Sequence, residues 1–64
     1  MAQKLTAIYE AITKEEGGLI LQMRLAMKTG VLSQKAGELP DSPENVKMFT
    51  DAYKDLTGKI CPIT

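Results

Sequence analysis

The apolar residues of this chain recur at helical intervals. From Gln3 to Thr29 they fall at Leu5, Ile8, Tyr9 and Ile12, then at Leu19, Met23, Ala26 and Met27. Steps of three, four and seven line such positions along one stripe of a helix. Leu5, Ile12, Leu19 and Ala26 stand seven apart, as do Tyr9, Glu16, Met23 and Gly30. That register crosses Gly17-Gly18 unbroken and favours one long first helix over residues 3–29, straight or kinked at the glycines. Two features pull the other way. Interior glycines cost about 1 kcal/mol each relative to alanine. Thr13-Lys14-Glu15-Glu16 also has the form of a capping box, which would open a second helix there. The long helix is the reading adopted, ended by Gly30 in the left-handed position that follows many helices.

The clearest element comes last. Ser42 is an N-cap, Pro43 suits the first helical position, and Glu44 complements the positive end of the helix dipole. Val46, Phe49, Tyr53, Leu56 and Ile60 follow at alternating steps of three and four, a seam over two heptads. Gly58 supplies the C-terminal cap, so the helix covers about 43–57 and Ile60 packs back from the outgoing chain. Pro62 bars the tail, 59–64, from continuing the helix. The connection, about 31–41, mixes Val31, Leu32, Ala36 and Leu39 with Gly37 and Pro40. A connection of this length tends to tuck apolar residues onto the core or form a helical turn, here Ser33-Gln34-Lys35-Ala36. No run alternates like a strand. The fold expected is all-α: a helical hairpin, with the last helix folded back on the first, in one small domain spanning 1–64.

Length turns this pattern toward association. A chain of 64 residues buries a smaller share of its surface than a larger domain does, so its core is thin. One Cys cannot pair within the chain, and one Cys without His cannot build a structural zinc site. A hairpin also leaves a second apolar flank, with Ile20, Leu21 and Met27 on the first helix and Met48 and Ala52 on the last. Covering that flank with a second copy gives a homodimeric four-helix bundle. The interaction surface expected comprises Leu5, Ile12, Leu19, Ile20, Met23, Met27, Met48, Phe49, Tyr53 and Leu56. The function expected is a non-catalytic interaction or oligomerisation module, working as a homodimer or as an accessory subunit for a protein partner.

Charge narrows the alternatives. Eight cations balance eight acids, whereas a nucleic-acid binder carries a cationic excess to neutralise phosphates. Leu25-Ala26-Met27-Lys28-Thr29-Gly30-Val31 nonetheless has the Ala-to-Gly spacing of a helix-turn-helix, with Ser33-Gln34-Lys35 opening a recognition helix. That helix would stop at Pro40 after about two turns and carries one Lys and one Glu, where base reading calls for cations and amides. A DNA-binding regulator is therefore the alternative reading, with charge against it. The longest apolar run, Leu19-Ile20-Leu21, is far short of a membrane span, and the start lacks the pattern of a signal peptide. A lone Cys fits a reducing, cytoplasmic compartment.

Candidate chemistry is sparse. Cys61 lacks a His to act as its base and reads as a small packing residue. Glu16 shares the stripe of Ile12 and Met23, but bundle metal sites pair such a Glu with His; it reads as a cap or an ion-pairing residue. The methionines read as core, and the two tyrosines place their hydroxyls at its rim. Gly17-Gly18 lacks the strand and Lys-Ser/Thr of a phosphate loop. No catalytic residue, cofactor site or metal ligand is assigned.

Overall fold

Four helices form where the apolar spacing is helical. In the computed structural model, which describes residues 4–63, they are α1 (Lys4–Thr13), α2 (Gly18–Thr29), α3 (Ser33–Ala36) and α4 (Pro43–Thr57). The all-α expectation holds for these residues. The single long first helix does not: the chain breaks over residues 14–17. Gln3, its expected start, lies outside the described residues.

The break has a local cause. Gly17 adopts φ 72° and ψ 28°, a left-handed conformation that costs other residues roughly 1–2 kcal/mol. Gly18 then passes so close to the end of α1 that a β-carbon on it would lie 1.8 Å from the Thr13 carbonyl oxygen. Only glycine fits that approach. The capping box does not form either, because the Thr13 hydroxyl donates to the Tyr9 carbonyl at 2.7 Å and Gly17 starts α2 without a side-chain cap. The heptad register across the glycines is thus no continuous stripe. Leu5 and Ile12 are fully buried while Leu19 is 74% exposed, and α2 turns Leu25 inward instead.

The other ends follow the sequence signals closely. Ser42 Oγ accepts the Asn45 backbone N–H at 3.2 Å to cap α4, with Pro43 at its first turn. Thr29-Gly30 and Thr57-Gly58 close α2 and α4 by one shared device. In each, the Thr hydroxyl donates to the carbonyl four residues back, at 2.8 and 2.7 Å. The left-handed Gly N–H bonds Ala26 or Lys54. The next residue, Val31 or Lys59, returns its N–H to the Thr hydroxyl.

Helix direction is set by the termini. The Lys4 N–H at the start of α1 donates to Asp41 Oδ2 at 2.9 Å, next to the residue that caps α4. At the other end, Lys59 beyond α4 reaches Glu15 beyond α1 at 2.7 Å. Helices α1 and α4 therefore run in the same direction, and the last helix does not fold back along the first. Helix α2 leaves the end of α1 and crosses to the C-terminal half of α4, where Lys28 pairs with Asp55 at 3.4 Å. Each of α1, α2 and α4 packs on the other two, and α3 packs on α1. The radius of gyration, 10.2 Å, matches the ~10.7 Å of a folded chain this long.

One core fills the space between them. It takes Leu5, Ile8, Tyr9 and Ile12 from α1, Leu25 from α2, Ala36 from α3, Phe49, Ala52 and Tyr53 from α4, and Cys61 from the tail. Tyr9 joins three elements. Its ring meets Phe49 edge-on at 5.9 Å, and its hydroxyl donates to the Val31 carbonyl beyond α2. The tail packs through Cys61 rather than Ile60, which is 80% exposed. Gly58 in the left-handed conformation rotates the outgoing chain, so the heptad step from Leu56 no longer points inward.

The two glycines of the break separate conformation from space. Gly17→Ala, with nothing within 4 Å of the new carbon, is expected to cost ~1–2 kcal/mol for the left-handed residue alone. Gly18→Ala is expected to cost more than the ~1–3 kcal/mol of ordinary overpacking. Urea denaturation of both variants measures the difference, and equal losses would refute the close approach.

Candidate interaction surface

Helix α2, GLILQMRLAMKT, is apolar on two sides. Leu25 points into the core. Met23 and Met27 each lie two residues from it, roughly 200° of helix, and so point the opposite way. Leu19 and Ile20 extend this outer face by one turn toward the helix start. All four are mostly exposed, and Met27 reaches 81%. Arg24 and Lys28, both exposed, edge the face on one side. On the other, Gln22 donates to Ser33 Oγ at 3.0 Å and fastens α3 beside α2.

The fastening creates a groove. Leu32 follows the left-handed Gly30 and stands exposed beyond the helix end. Together with Leu19, Met23, Ala26 and Met27 it lines an open cavity of about 680 Å³, with Gln22, Ser33 and Gln34 on its polar side. Its floor is low because Ala26 and Gly30 carry almost no side chain. The groove is supported from below by the Tyr9 hydroxyl on Val31.

The ten residues expected on the interaction surface divide. Leu5, Ile12, Phe49 and Tyr53 are closed inside the chain's own core, and Leu56 packs partly against it. They are corrected from surface to core, because three helices of one chain meet where a two-helix hairpin would have left them open. Leu19, Ile20, Met23, Met27 and, to a lesser degree, Met48 face outward. Of the second flank, Leu21 packs against the core and Ala52 is buried in it. Sequence reasoning did not place Leu32 or the small floor residues in the surface. A large apolar residue two places after a left-handed glycine, with no partner at helical spacing, is the signal for the first.

Titratable groups gather elsewhere. Glu16 is exposed, and its neighbour Glu15 holds the Lys59 ammonium, which raises the lysine's pKa. Burial pushes up the Cys61 thiol, whose S–H donates to the Ile63 carbonyl at 3.8 Å. Burial raises Tyr53 as well, helped by Glu15 and Cys61 against the opposing pull of Lys59. Burial raises Tyr9, against a smaller lowering by its hydrogen bond with Thr29. Among the described residues no three acidic or Cys side chains converge as a metal-binding group would. The one-turn α3 replaces the two-turn recognition helix expected after Gly30, and its Lys35 is paired with Glu38 at 3.4 Å.

These raised values set a direction for stability against pH. Cys61, Tyr9 and Tyr53 are neutral when protonated, and the folded state favours that form. The stability they confer is whole below their unfolded pKa values and falls as pH rises above about 8.5 for Cys and about 10 for Tyr. Thermal melts are expected to drop first over the Cys range, and Cys61→Ala to flatten that part of the curve. Iodoacetamide should label Cys61 at pH 8 far more slowly in the native protein than in urea; equal rates would show the thiol is open.

Compared with protein-family models, with curated proteins and with solved structures, the chain matches none.

Proposed function

We propose that the protein is a non-catalytic helical interaction module that self-associates through the outer face of α2. The observation that carries this reading is the second apolar side of α2. A helix that is hydrophobic all round is normally buried on all sides. Here one side is buried by the chain itself and the other presents Leu19, Ile20, Met23 and Met27, continued by Leu32.

Magnitudes favour a modest dimer. Those five side chains are 61–81% exposed, so covering them contributes roughly 5–10 kcal/mol per copy at ~1.5–3 kcal/mol for each fully buried residue. Association costs ~4–15 kcal/mol in lost freedom. For two copies the midpoints of these ranges leave roughly 5 kcal/mol, a dissociation constant on the order of 0.1 mM. A four-helix grouping at the interface would add α4 from each copy, bringing in half-exposed Met48. An accessory role in a larger assembly would use the same face. The DNA reading draws no support from a one-turn α3 and a neutral chain.

Sedimentation equilibrium from about 1 μM to 1 mM is expected to show the mass rising from 7.0 kDa toward twice that value. Met23→Lys should hold the mass at the lower value at every concentration while the helical circular dichroism and the melting temperature stay near those of the native chain. A monomer throughout the native series would refute self-association. Met48→Glu reports on α4, weakening the dimer only if that helix joins the interface.

A further inference from the structure

From the geometry of α2 we infer that the two copies pair antiparallel through it, with Met23 on the two-fold axis and Leu19 of each copy seated in a hole on the other. This rests on the self-association reading and specifies its geometry. A helix presents knobs to holes made by four facing residues. Met23, Ala26, Met27 and Gly30 form such a set at steps of three, four and seven, and all four line the groove. Two of them carry almost nothing beyond the backbone, so the hole is deep. Leu19, 74% exposed, is the knob left without one. Placing Met23 on a two-fold axis sets Leu19 opposite the partner's Met27, at the mouth of that hole. The same operation seats the partner's Leu19 here, which is the self-complementary contact a two-fold interface requires.

The helix dipoles select the antiparallel sense. A parallel pair would set like dipole ends together, whereas the antiparallel pair brings the positive start of one α2 beside the negative end of the other. Lys28 takes no part, being held by Asp55 of its own chain on the α4 side of the helix.

Disulfide trapping tests the arrangement in the full chain, in a Cys61→Ala background at a concentration where the native chain is dimeric. Leu19 lies four residues from Met23, so the two copies of Leu19 stand ~12 Å apart in the antiparallel pair, beyond the ~7 Å that a disulfide spans. Met23→Cys is expected to oxidise to a covalent dimer on its own. Leu19→Cys and Met27→Cys should each stay monomeric under denaturing electrophoresis and cross-link only when mixed. Leu19→Ala should weaken the dimer at least tenfold by sedimentation, without loss of helical circular dichroism. If Leu19→Cys and Met27→Cys each self-couple as fast as Met23→Cys, the pairing is parallel and the inference is overturned while self-association stands. If none couples although the mass is dimeric, another face is used and the inference again fails. If the native chain never dimerises, both readings fall together.

Discussion

The turn at Gly17-Gly18 is the constraint on which the rest of the molecule depends. A continuous helix from Lys4 to Thr29 would carry the α2 residues away from α4. The left-handed glycine and the close passage over the Thr13 carbonyl send α2 across to Asp55 instead. Three helices then meet around Leu5, Ile8, Tyr9, Ile12, Leu25 and Phe49. The hydrophobic effect rewards this closure, but steric access at one backbone position permits it. Tyr9 secures the result, as a ring against Phe49 and a hydroxyl on Val31.

Closing the core inside one chain has a second effect. It leaves a strongly apolar face, concentrated on the outer side of α2 where the two-helix hairpin would have spread its apolar residues along both helices. The face is rich in methionine, which adapts its shape to whatever it packs against. Its rigid part is the backbone floor at Ala26 and Gly30, held beside α3 by Gln22 and Ser33. A pliable rim over a fixed hole is suited to accepting a protruding side chain.

Local signals were legible in the sequence wherever a residue type has one structural use. Ser42-Pro43, Gly30 and Gly58 marked their helix ends correctly. Longer-range properties were not. The heptad spacing from Leu5 to Ala26 survives the break by coincidence, because four loop residues happen to preserve the count. The capping box at Thr13 is a pattern the chain could have used, but the Thr hydroxyl finds the Tyr9 carbonyl first. Seam spacing cannot say whether a face is covered by the same chain or by another. Leu5 and Met27 look alike in sequence, and only the direction of α2 separates them.

Asp41 and Ser42 are neighbours in sequence that serve different helices, one holding the start of α1 and the other the start of α4. The first helix thus receives its cap from a residue 37 positions downstream. Two adjacent residues of the connection thus hold the starts of both helices, so ordering that one short segment couples α1 to α4 although each helix is individually local.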